Sequence, residues 1–122
     1  MKQFRLLVGV ALFAGLSCKS TPSGNGNGCS SVGADYVIEA TDAKTFQPAQ
    51  VTVTFGKRVC WEVSGTLIHT VTADPNAQDT TWKIDAQIDP QGVAQIVPGK
   101  NGVNLLYHCK IHPGMTGELD IR

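Results

Sequence analysis

The chain has 122 residues, with ten lysines and arginines against ten aspartates and glutamates, so its formal charge is zero. That length accommodates one domain, and the balanced charge offers no electrostatic footprint for nucleic acid. Four cysteines and three histidines are few enough to be assigned one by one.

Residues 1–17 have the layout of a secretory signal: a basic start at Lys2 and Arg5, an apolar run over 6–16, and small residues ahead of Cys18. The run is too short to persist as a bilayer-spanning helix. Ala14-Gly15-Leu16-Ser17-Cys18 resembles a bacterial lipobox, which implies a lipidated Cys18 as the mature N-terminus. Cleavage after Ser17 by an ordinary signal peptidase satisfies the small-x-small rule equally, through Gly15 and Ser17. Both routes imply export to the periplasm or cell envelope, with membrane attachment only through a lipid on Cys18. Loss of the signal leaves eight basic against ten acidic side chains, a charge of minus two. Residues 18–34, rich in Gly, Ser and Asn, are expected to be a flexible linker, and 35–122 the folded domain.

Short β-prone runs then alternate with turn residues. Strands are expected over 36–40, 51–55, 59–63 and 67–72, separated by Thr41-Asp42, Gly56-Lys57 and Ser64-Gly65. Segment 74–91, which contains Pro75 and Pro90, is the least regular and has room for at most one short helix. Strands resume over 92–97, 103–109 and 117–121, with Pro98-Gly99-Lys100-Asn101-Gly102 as a strong turn. No stretch holds a 3.6-residue apolar period, so the fold class is all-β, a sandwich of about seven or eight strands. Trp61 and Trp82 are assigned to its core. Export permits a disulfide, and Cys29, at the start of the folded part, and Cys60, inside a strand, are the pair it would join. The alternative is two unrelated thiols, one exposed and one buried.

The chemistry concentrates in Tyr107-His108-Cys109-Lys110-Ile111-His112-Pro113-Gly114-Met115. Cys109, His112 and Met115 are spaced C-x-x-H-x-x-M between two expected strands. Thiolate, imidazole and thioether are soft donors that suit copper and are poor for magnesium or calcium; a blue-copper electron-transfer set needs one more imidazole. In an extended run Tyr107 and Cys109 share a face while His108 points the other way. That leaves His69, at the end of a strand, as the second imidazole, and His108 as a surface residue.

Several stretches resemble the cupredoxins, the small blue-copper proteins of the plastocyanin, pseudoazurin and amicyanin kind. Asp42-Ala43-Lys44-Thr45-Phe46-Gln47-Pro48 with Val51-Thr52-Val53 is similar to the D-x-x-F-x-P-x-x-V-x-V opening, Val59-Cys60-Trp61-Glu62-Val63 to the V-x-W strand, Leu67-Ile68-His69-Thr70-Val71 to the H-T-V segment, and 107–117 to the copper loop. The resemblance implies a Greek-key β-sandwich over 35–122 and one type 1 copper ion. His69, Cys109 and His112 become its strong ligands and Met115 the long axial one. It further implies a monomer without catalytic residues that passes single electrons between redox proteins docking near His112. Ile111 stands where many relatives carry proline, so its amide is expected to donate to the Cys109 sulfur beside the Thr70 amide. Cys60 departs from the family strand and fits the bridge to Cys29. Copper handling without electron transfer would instead favour exposed methionine and histidine clusters. A metal-free adhesive sandwich would pair Cys60 with Cys109 against Trp61.

Overall fold

The computed structural model describes residues 28–122. The expected signal 1–17, the lipid site Cys18 and the first part of the linker lie outside the described residues. Nine strands follow one another: β1 (Tyr36–Ala40), β2 (Phe46–Gln47), β3 (Gln50–Val53), β4 (Val59–Val63), β5 (His69–Ala73), β6 (Asp85–Ile88), β7 (Val93–Ile96), β8 (Asn104–His108) and β9 (Thr116–Ile121). They form two sheets, ordered β2-β1-β4-β7 and β3-β9-β8-β5-β6. Both are mixed: β1 runs parallel to β4 and β3 parallel to β9, while the remaining pairs are antiparallel.

Alternation decides which side chains fill the space between the sheets. In β8, Leu105 and Tyr107 are buried while Asn104 and Leu106 face out; in β1, Ile38 and Ala40 turn inward. Tyr107 sits at the centre of this core, edge-on to Phe46 at 4.8 Å and to Trp61 at 5.3 Å between ring centroids. Its ring lies directly over Gly117, its partner in β9, where a Cβ would come within 2.2 Å of Tyr107 Cζ. Only glycine admits that approach. Burial pushes the Tyr107 phenol up to about 12.

Two elements differ from expectation. The segment 74–91 holds strand β6 in place of a short helix, and no α-helix occurs among the described residues. Asp-Ala-Gln-Ile turns only Ala86 and Ile88 inward, too weak an apolar signal to read locally; its register with β5, His69 opposite Ile88 through Thr72 opposite Asp85, defines it. With two-residue β2, this raises the strand number to nine, above the seven or eight expected.

Within the expected linker, Cys29–Val32 forms a 3-10 turn whose first residue is fully buried. Cys29 is bonded to Cys60, with Cα atoms 5.7 Å apart, and the Cys29 amide donates to Glu62 Oε2 at 2.8 Å. The alternative of unrelated thiols is thereby excluded. So is a Cys60–Cys109 pair, because Cys109 is free. Cys60 alternates with the inward residues Val59 and Trp61, so the turn covers it from outside the sheet.

Candidate metal centre

Three pieces of chain build the site: the start of β5, the end of β8 and the loop that joins β8 to β9. His69 shares a face with Val71 and is fully buried. Cys109 continues the inward face of Tyr107 and is 3% exposed. The loop is then folded back tightly by its own backbone. The Cys109 amide donates to the Met115 carbonyl at 2.9 Å, and the Met115 amide donates to the His112 carbonyl at 3.1 Å. The second bond closes a turn with Pro113 and Gly114 at its centre, and Gly114 has φ 85. Proline then glycine with positive φ is the chemistry of a type II turn.

The result is convergence. His112 Nδ1 lies 3.1 Å from His69 Nδ1 and 3.5 Å from Cys109 Sγ. Ligand atoms of His69, Cys109 and His112 all fall within 4.8 Å of one another. Met115 is 1% exposed and belongs to the same core cluster as Cys109. Metal bonds of ~2.0 Å to nitrogen and ~2.3 Å to sulfur, as for zinc, are compatible with the 3.1 Å and 3.5 Å separations from His112 Nδ1. The donor set therefore fits one metal ion, and its softness suits copper. Burial, and secondarily the charge of His112, hold the His69 imidazole below its ordinary range, while Asp42 opposes them. A neutral imidazole keeps the lone pair that a metal needs.

Solved structures with similar backbones include a reduced amicyanin variant, 19% identical, covering 75% of this chain and 84% of that one, with a TM-score of 0.64. Oxidised plastocyanin from Dryopteris crassirhizoma is 18% identical, covering 70% of this chain and 99% of that one, with a TM-score of 0.61. A purple cupredoxin from Nitrosopumilus maritimus is 17% identical, covering 72% of this chain and all of that one, with a TM-score of 0.59. This is the cupredoxin fold. No protein-family model and no curated protein matches the chain.

Within this cupredoxin fold the register of β5 against β8 explains the sulfur's surroundings. Thr72 pairs with His108 and Ala73 with Tyr107; continued past the end of β8, that register sets Thr70 opposite Lys110. There the ladder is completed by side chains. The Thr70 amide donates to Cys109 Sγ at 3.3 Å, and the Lys110 amide donates to Thr70 Oγ1 at 2.8 Å. The expected donation from the Ile111 amide is absent among the described residues. Thr70 captures the Lys110 amide, and Ile111 is carried outward, 47% exposed.

His108 points away from the cluster, as alternation requires, and pairs through Nδ1 with Asp74 Oδ1 at 2.5 Å. Sequence reasoning did not single out Asp74, nor the use made of Asp42. Asp42 Oδ1 accepts the amides of Thr66 and Leu67 at 2.9 and 3.1 Å, fastening the loop ahead of His69 to the β1–β2 turn. Those two amides hold the Asp42 carboxyl below its usual range.

Proposed function

We propose that this protein is an exported, non-enzymatic carrier of single electrons, working as a monomer with one type 1 copper ion. His69, Cys109 and His112 would supply the strong ligands and Met115 a weaker thioether. The observation that carries this reading is the convergence of two Nδ1 atoms and a thiol on a backbone-locked loop, with the sulfur already accepting the Thr70 amide. Bound copper would supply a Cu(I)/Cu(II) couple. The chain's own contribution is to hold its donors still: β5 fixes His69, the core packs Cys109 and Met115, and the Pro113-Gly114 turn places His112. A cage tied to adjacent strands of one sheet, β5 and β8, and to a closed loop changes little between charge states, which keeps reorganisation small. Similar structures were solved as reduced Cu(I) amicyanin and as oxidised plastocyanin, consistent with this use of the fold.

His112 is half-buried, and Ile68 and Ile111, next to His69 and His112 in the chain, are 44% and 47% exposed. This apolar rim suits docking of a protein redox partner without charge pairing. The signal-like leader and the Cys29–Cys60 bridge support export to a periplasm or cell envelope, with Cys18 as the anchor. Copper handling without electron transfer is the weaker reading, because the single methionine at the site is 1% exposed and cannot present a surface cluster. A visible absorption spectrum of copper-loaded, oxidised protein decides between them. An intense thiolate-to-copper band that disappears in Cys109→Ser supports the carrier; stoichiometric copper without that band refutes it.

A further inference from the structure

We infer that Thr72 and Asp85 are positioning residues for the Cys109 sulfur, acting through a one-way hydrogen-bond chain that runs from the Lys110 amide through Thr70 and Thr72 to the Asp85 carboxylate. The inference rests on the copper reading above only for its redox consequence. The geometry stands without it.

Strand periodicity assembles the chain. Thr70 and Thr72 alternate onto one face of β5, and Asp85 stands opposite Thr72 in β6. Thr70 Oγ1 is 3.1 Å from Thr72 Oγ1, and Thr72 Oγ1 is 3.0 Å from Asp85 Oδ1. Lys110 closes the circuit from its other end, with Nζ 2.9 Å from Asp85 Oδ2.

Proton inventory gives the chain its direction. An ionised carboxylate has only acceptors, so the single Thr72 proton goes to Asp85. The Thr72 oxygen must then receive the proton of Thr70. With its proton so committed, Thr70 Oγ1 turns a lone pair to the Lys110 amide, 2.8 Å away. Bonds from Lys110 and Thr72 hold the Asp85 carboxyl below its usual range, which keeps the terminal acceptor charged. The Asp85 and Lys110 side chains are 55% and 51% exposed, and a surface ion pair of that kind adds little stability. Its consequence is orientation. Lys110 follows Cys109, and the same Thr70 that holds the Lys110 amide gives its own amide to the sulfur. A firmly held donor stabilises the electron-rich reduced site, because hydrogen bonding around the cysteine sulfur tunes the potential; a loosened one lowers that potential.

Thr72→Val and Thr72→Ser test this without changing charge. In the copper-free full chain, amide hydrogen exchange at Lys110 should accelerate about tenfold in Thr72→Val, the loss of one hydrogen bond of the charged-acceptor kind. Thr72→Ser should stay near wild type. Copper-loaded Thr72→Val should show a lower reduction potential and a shifted thiolate-to-copper band, both restored in Thr72→Ser. Asp85→Ala, at an exposed position, provides a second break in the chain and should accelerate the same amide. Unchanged Lys110 exchange in both Thr72→Val and Asp85→Ala overturns the inference, as does a serine variant that behaves like valine. If wild type lacks the band, the carrier reading falls while exchange in the copper-free chain still decides the positioning role.

Discussion

Gly117→Ala tests the packing behind the ligand cysteine. The added Cβ would stand 2.2 Å from Tyr107 Cζ, 2.3 Å from its hydroxyl oxygen and 2.6 Å from Cε2. Carbon contacts settle near ~3.5–4.0 Å, so ring and strand must part by more than an ångström. The ring has no free direction, because Phe46 and Trp61 meet it edge-on at 4.8 and 5.3 Å. Overpacking of this kind costs about 1–3 kcal/mol, and the confinement of Tyr107 places the cost near ~3. Alanine also restricts the unfolded chain, which returns about 0.4–1 kcal/mol. Steric overlap wins, leaving a net loss of roughly 2–3 kcal/mol. Urea unfolding of the copper-free protein should show the midpoint falling by about 2 M for an m-value of ~1–1.5 kcal/mol/M. Tyr107→Leu removes the overlapping ring atoms at its own cost of about 3 kcal/mol. In the Gly117→Ala background that change should cost ~2 kcal/mol less, a coupling typical of residues in contact. A Gly117→Ala midpoint equal to wild type, or simple additivity of the two changes, would refute the reasoning.

Further outcomes follow from the same geometry. Reducing the Cys29–Cys60 bond, which spans 31 positions, should cost the copper-free protein about 3–4 kcal/mol by releasing loop entropy in the unfolded chain; a urea midpoint insensitive to reductant would contradict this. Gly114→Ala meets no neighbouring atom, so only its φ of 85 is penalised; a loss of about 1–2 kcal/mol is expected from the same unfolding assay. Asp42 has a folded pKa below its ordinary value of 3.8, with the Leu67 amide as the largest cause. The stability it contributes is therefore present above about pH 4 and lost as pH falls through the lower folded value. Urea midpoints measured from pH 6 to 3 should fall less steeply in Asp42→Asn than in wild type, and parallel curves would remove Asp42 from that role.

How much of this was legible in the chain depended on whether the deciding interaction was local. β1 and β4 occupy the residues expected of them, because alternation and the flanking turns are written into consecutive positions. Asp85–Ile88 carries no such pattern; its identity as a strand comes from β5, a neighbour that had to be placed first. Two-residue β2 is likewise defined by its partner, β1. Cys29 and Cys60 were readable as a pair because few cysteines competed for it, yet the 3-10 turn that buries Cys29 has no signature in a stretch that reads as linker.

The site divides along the same line. The His69, Cys109 and His112 cluster could be inferred from donor type and strand alternation, and their ligand atoms do converge. The sulfur's hydrogen bonding could not, because it depends on register where β5 outruns β8. Reading Ile111 as a donor assumed that a missing proline frees an amide for the sulfur. Having an N–H does not decide where it points; the register does, and Thr70 takes the amide of Lys110. A loop sequence names the atoms able to bind an ion, whereas the strand opposite selects the backbone groups that face the sulfur. Thr70, with one group on the sulfur and another on the loop, is where those two kinds of information meet.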